Sequence, residues 1–167
     1  MLKCPSPALF ATWLASAAGV IAIDQASKAA VLAYLQKGDV IPVTSFFDLV
    51  LAFNSGAAFS FLATHNGWQR WVFAVLALGV SAWIVTQLWQ FPRQKGMSFA
   101  LSFIMGGALG NVIDRFVHGA VVDFLYFHIT LEGKTYGWPA FNAADSAIFL
   151  GVVLMLIFQL KSAKPPA

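Results

Sequence analysis

Asp123 interrupts an otherwise apolar stretch, Val121-Val122-Asp123-Phe124-Leu125, where a desolvated carboxylate is costly unless something partners it. Asp145 follows three residues after Asn142, the spacing at which an acid completes a helix cap and faces the positive end of the helix. Two carboxylates brought together at a dry interface cannot both ionise cheaply. One keeps a proton and acts as acid while the other activates a water as base. Asp123 in its apolar strand is pushed toward the protonated form, whereas Asp145 sits at a helix N-terminus, so the environments of the two differ in a useful way. Other polar residues have plainer readings. Asp24 and Lys28 form an i, i+4 pair that simply extends a helix, worth about 0.2–0.5 kcal/mol. Asp114 beside Arg115 reads as a charge pair closing a span, and Asp145 itself reads as a cap.

Other chemistries fit worse. His65, His118 and His128 lack the spacing of a zinc hydrolase, and Glu132 is the only glutamate. There is no Gly-x-Ser-x-Gly and no glycine-rich phosphate loop. Ser27 and Lys28 are neighbours on a helix and point apart, so they do not make a nucleophile and its base. Neither a metal nor a cofactor is expected.

The elements that carry these residues belong to a membrane. The chain has 167 residues, 59 % hydrophobic and 10 % charged, with a mean hydropathy of +0.75. A soluble domain carries roughly 25 % charged residues, so a free-standing domain in water is excluded. Apolar runs at 7–23, 71–91, 97–113 and 143–160 lie near the length of about 20 residues that spans a bilayer. The expected architecture is therefore a single integral membrane domain, membrane all-α, with four transmembrane helices. The formal charge of +3 gathers into no basic run, so no nucleic acid partner is expected. Cys4, the single cysteine, is read as a reduced thiol without a functional part.

Lys3, Arg93, Lys95, Lys161 and Lys164 crowd into the two termini and the turn after the second run, with no acid among them. Lys28, Lys37, Arg70, Arg115 and Lys134 are spread over two long loops rich in acids. That asymmetry places both termini in the cytoplasm and brings Asp24, Asn111, Asp114, Asp123 and Asp145 to the outer face. The long loops are not linkers. Residues 40–61 carry β-branched and aromatic residues with a turn signal at Asn54-Ser55-Gly56, predicting short strands or a hairpin at the membrane surface. Residues 120–129 read as one extended strand, Asn142 as a helix N-cap, and Gly106, Gly107 and Gly110 as a face for close helix approach. A transporter would place ionisable groups near the midplane, often in repeated halves; neither feature is present. A non-enzymatic scaffold would tolerate amide substitution of the outer acids.

Five motifs, Asp24-Gln25-Ala26-Ser27-Lys28, Asn54-Ser55-Gly56-Ala57-Ala58-Phe59, Gly110-Asn111-Val112-Ile113-Asp114-Arg115, Gly119-Ala120-Val121-Val122-Asp123-Phe124 and Phe141-Asn142-Ala143-Ala144-Asp145, resemble in this order the bacterial lipoprotein signal peptidase (signal peptidase II) family. The resemblance covers nearly the whole chain. It implies an aspartic endopeptidase of the bacterial cytoplasmic membrane that cuts prolipoproteins just before a diacylglyceryl-modified cysteine, acting as a monomer among membrane lipids. By motif, the catalytic pair falls on Asp123 and Asp145, and supporting residues on Asp24, Lys28, Asn54, Gly56, Asn111, Asp114, Arg115 and Asn142. The three asparagines are amides that orient carboxylates or substrate backbone without removing a shared proton, and Arg115 anchors Asp114 or a substrate carbonyl. None of the five motifs departs from the family's pattern, and only the loop at 131–139 reads as variable.

Overall fold

A computed structural model of the chain describes residues 5–56 and 68–162. Cys4, His65 and residues 57–61 of the predicted interfacial stretch lie outside them. Four helices, α1 (Pro7–Tyr34), α2 (Gln69–Gln90), α3 (Lys95–Val117) and α4 (Ala143–Ser162), are each long and apolar enough to cross a membrane. Four strands, β1 (Val40–Thr44), β2 (Phe47–Asn54), β3 (Val121–Leu131) and β4 (Lys134–Gly137), form one antiparallel sheet in that order. The sheet joins the bundle at the end where α1 and α3 finish and α2 and α4 begin.

The helices are longer than the apolar runs. α1 continues through Asp24 to Tyr34, because Ser27-Lys28-Ala29-Ala30-Val31-Leu32-Ala33 contains no breaker and several good helix formers. Asp24 and Lys28 therefore lie within the helix, and Asp24 does not follow it. α3 likewise runs past Ile113 and carries Asn111, Asp114 and Arg115 in its last turns. It stops at His118, where Gly119 takes a left-handed φ of +75°.

α3 is the centre of the bundle. The predicted glycine face forms: a Cβ on Gly106 would stand 2.7 Å from the carbonyl oxygen of Ala17, and one on Gly107 would collide with that of Ala144. α1 and α4 thus approach α3 backbone to backbone. Toward the other end, Trp13, Ala17, Ile84, Leu88, Leu101 and Met105 form a buried cluster, and the Trp13 indole donates to the Pro92 carbonyl at 2.9 Å. Outward-facing Val75, Leu76, Phe149 and Leu160 are more than half exposed, as a lipid-facing surface requires.

The hairpin expected at 40–61 exists, but its turn falls at Ser45-Phe46, with Thr44 opposite Phe47. Asn54-Ser55-Gly56 ends β2 instead. There the Asn54 side-chain oxygen accepts the Gly56 N–H at 2.9 Å, a side-chain turn that stops a strand as readily as it reverses one. The strand expected at 120–129 is β3. Its register with β2 sets Asp123 beside Ala52, just past an irregularity between Leu49 and Ala52.

Candidate functional site

Asn142 organises one side of the site. Its side-chain oxygen accepts the Asp145 N–H at 2.9 Å, while its own N–H donates to Asp145 Oδ2 at 3.2 Å. This reciprocal cap opens α4 and fixes Asp145 against it. The Asn142 amide nitrogen then donates to Asp123 Oδ1 at 2.7 Å and approaches the Val122 carbonyl at 3.2 Å. One side chain thereby holds both acids, one on β3 and one on α4. The cap reading of Asp145 describes this geometry, and Asn142 links Asp145 to Asp123.

Lys28 organises the other side. It is 2 % exposed, and its ammonium lies 2.8 Å from Asp24 Oδ2, 2.7 Å from Asp114 Oδ2 and 3.0 Å from Asn111 Oδ1. An ammonium has three N–H donors, and each has an oxygen. Asp24 and Asp114 are themselves buried. The remaining oxygen of Asp24 accepts the Ala144 N–H at 2.9 Å, a second carboxylate at the α4 N-terminus. Asp114 Oδ2 also accepts the Val122 N–H at 3.0 Å, which ties the strand carrying Asp123 to α3. Asn111 joins the two halves: its oxygen faces Lys28 and its nitrogen donates to Asp145 Oδ1 at 2.8 Å.

Gly110 permits this convergence, since a Cβ there would stand 2.6 Å from Asp24 Oδ2. Gly56 holds the far edge with a φ of +92°, and a Cβ on it would meet the Phe73 ring at 2.7 Å. With its oxygen engaged by Gly56, Asn54 is left with its amide nitrogen for Asp123, to which it hydrogen-bonds.

Asp123, 2 % exposed, has its pKa pushed up from 3.8 to about 6. Burial is the main cause and the Asp145 carboxylate the second. The Asn54 and Asn142 amides and the charge of Lys28 pull the other way. The direction is the one expected for a carboxylate in an apolar strand.

Eight of the ten predicted residues, Asp24, Lys28, Asn54, Asn111, Asp114, Asp123, Asn142 and Asp145, join one connected network, and Gly56 shapes its rim. The predicted contact between Arg115 and Asp114 does not form. Consecutive helix residues do not face each other, so Asp114 turns to Lys28, while Arg115 Nη1 donates to the Asn111 carbonyl at 3.0 Å. The Arg115 guanidinium lies 5.4 Å from the centre of the Phe73 ring. Its buried Nε has no hydrogen-bond partner among the described residues, although Asp145, Asp114 and Asp123 all act on its charge. Gln25 was not singled out from the sequence. Its amide nitrogen donates to Asp114 Oδ1 at 2.9 Å and lies 3.1 Å from Asp24 Oδ2 and 3.2 Å from the Gly110 carbonyl. A glutamine inside an apolar helix, next to an acid, was the available signal.

Fold and site define a polytopic membrane protein with a carboxylate–amide site at the sheet end of its helix bundle. It has the architecture of bacterial membrane enzymes. One such solved structure, titled as a bacterial membrane enzyme determined in meso at 2.3 Å, is 29 % identical, covers 100 % of this chain and 98 % of that one, and has a TM-score of 0.78. Another, at 1.9 Å, is 30 % identical over 98 % and 99 %, with a TM-score of 0.75. The family model described as "Signal peptidase (SPase) II" matches residues 16–161. A lipoprotein signal peptidase of Azoarcus sp. (strain BH72) is 58 % identical over 152 residues, 91 % of this chain and 84 % of that protein. One of Cupriavidus pinatubonensis (strain JMP 134 / LMG 1197) is 49 % identical over 149 residues, 89 % and 82 %. The chain belongs to the signal peptidase II family, a family of peptidases.

Proposed function

We propose that this chain is an aspartic endopeptidase that removes the signal peptide from diacylglyceryl-modified prolipoproteins, cutting immediately before the lipidated cysteine. The observation that carries the reading is that Asp123 and Asp145 share the side chain of Asn142, and that Asp123 holds a proton more readily than an ordinary carboxyl. Asp145 takes a proton from a water, whose oxygen attacks the scissile carbonyl carbon. Asp123 gives its proton to the carbonyl oxygen. The tetrahedral diol then collapses as Asp145 passes its proton to the leaving amine of the cysteine and Asp123 recovers its own. The proton count closes with no metal. Arg115 binds a substrate carbonyl through its guanidinium.

The charge asymmetry of the flanking segments supports a cytoplasmic location for both termini, with the site at the outer face of the bacterial cytoplasmic membrane. That placement suits the chemistry. The substrate's signal peptide is a membrane helix and its cysteine carries lipid tails, so the bond to be cut lies at the interface. The sheet, with Val40, Ile41, Val43 and Phe46 exposed, rests on the lipid surface as a cradle over the site. α2 and α4 both pack on α3 and scarcely touch one another, leaving a groove open to lipid for the signal helix.

The test is a pair of variants. Purified Asp123→Asn and Asp145→Asn proteins stay folded and fail to cleave a diacylglyceryl-modified prolipoprotein. Near-normal turnover in either would remove that residue from the mechanism.

A further inference from the structure

At the end of the bundle away from the sheet, a cavity of about 390 Å³ opens between α2, α3 and α4, bordered by Gln87, Gln94, Gln159, Trp83, Met97 and Met155. Three amides from α2, the α2–α3 turn and α4 converge there, and among the described residues no charged one lines it. The cavity lies at the far end of the groove whose other end is the carboxylate pair. On α4, Asp145, Ile148, Val152, Met155 and Gln159 follow the three- and four-residue spacing of one helix face. On α2, Phe73, which touches Arg115, begins the matching face Leu76, Val80, Trp83 and Gln87. α2 and α4 run in the same direction, and each places its glutamine 14 residues beyond the residue at the site. At 1.5 Å per residue that is about 21 Å. The apolar core of a signal peptide is about 7–15 residues, so a helix of about 14 residues cut at the carboxylate pair would end at the glutamines.

We infer that this glutamine-lined cavity gauges the length of the signal helix by receiving its N-terminal end. The inference rests on the peptidase reading above. The first four N–H groups of a helix have no partner within it, and a signal peptide opens with lysine or arginine. Glutamine oxygens accept from both. Neutral amides at this depth recognise such an end without repelling its cations, and an acyl chain has no use for them.

The experiment uses the full chain in phospholipid vesicles with diacylglyceryl-modified prolipoproteins whose apolar cores are 10, 14 or 18 residues. The parent protein is expected to show kcat/KM highest at 14 and at least about tenfold lower at 10 and 18. In Gln87→Leu/Gln159→Leu the optimum flattens, the change falling on KM. Gln159→Lys raises KM for a lysine-rich N-terminal segment, and exchanging those lysines for glutamates restores it. Equal kcat/KM at all lengths, with cleavage intact, overturns the gauge and leaves the peptidase reading standing. A parental length profile in the double variant does the same, and assigns the cavity to lipid. No cleavage at any length overturns both.

Discussion

Replacing Lys28 by methionine keeps the length of the side chain and removes one buried charge. In the parent, that charge lies 2.8 Å from Asp24 Oδ2 and 2.7 Å from Asp114 Oδ2. Each contact is worth about 6 kcal/mol of Coulomb attraction at an effective dielectric constant of about 20, most of it offset by desolvation. What the variant loses is larger than the net worth of the pair, because two buried carboxylates are left facing each other uncompensated. Breaking a buried pair from one side costs about 3–5 kcal/mol, and that is the destabilisation expected in reversible unfolding from mixed micelles. Activity should fall further than stability explains, since the Asn111 oxygen is held by Lys28 while its nitrogen holds Asp145. Without the ammonium the amide is free to turn over. Adding Asp24→Asn and Asp114→Asn to Lys28→Met should recover much of the stability and little of the activity. A Lys28→Met protein within about 0.5 kcal/mol of the parent, with normal turnover, would refute the view that this ion cluster supports the site.

Chemistry-limited kcat/KM should decline as pH rises through about 6, where Asp123 loses its proton, and should fall again in acid as the base is protonated; a flat profile from pH 3 to 8 would contradict the paired-acid mechanism. Asn54→Ala removes a hydrogen bond that favours the charged form of Asp123, so the alkaline limb should move to higher pH by about one unit, as expected for one hydrogen bond to a charged group. The raised carboxyl also makes folding depend on pH. The folded state binds more protons than the unfolded chain between about 4 and 6, so stability falls across that window and is level above it. Gly110→Ala drives a methyl group to 2.6 Å from Asp24 Oδ2 and should cost about 1–3 kcal/mol by unfolding, the usual penalty of overpacking.

The sequence alone revealed those parts of the site whose partners are close along the chain. The Asn142–Asp145 cap is three residues long and the Asp24–Lys28 pair four, and both form as spacing predicts. Four apolar runs were likewise enough for the bundle. What spacing could not supply was the third dimension. Lys28 takes Asp114 from another helix, and the apparent neighbour of Asp114, Arg115, points elsewhere. The helices outrun the apolar runs for a related reason. Hydropathy reports where lipid ends, whereas a helix ends at a breaker or a cap, so α1 and α3 carry their polar residues inside regular helix. The turn of the hairpin was misplaced because Asn-Ser-Gly signals a change of direction without saying whether the strand returns. Gln25 stayed hidden because two of its partners, Asp114 and the Gly110 carbonyl, lie on another helix.

Amides separate the two charge systems of this site, and the proposed mechanism depends on that separation. Two cations, Lys28 and Arg115, stand among four carboxylates, Asp24, Asp114, Asp123 and Asp145. With all four charged the cluster would carry two surplus negative charges in a poorly solvated place, and one shared proton halves the surplus. An ammonium in contact with Asp123 and Asp145 would remove the reason to keep that proton. Here Lys28 spends its three donors on Asp24, Asp114 and Asn111, and its charge is the weakest of the influences named on Asp123. Asn111 passes on only a dipole, oxygen toward Lys28 and nitrogen toward Asp145. Asn142 and Asn54 contact Asp123 the same way. Replacing Asn111 by aspartate would join the two systems, placing a fifth carboxylate between Lys28 and Asp145, whereas the amide there holds Asp145 by a hydrogen bond and brings no charge of its own to the proposed proton-sharing pair.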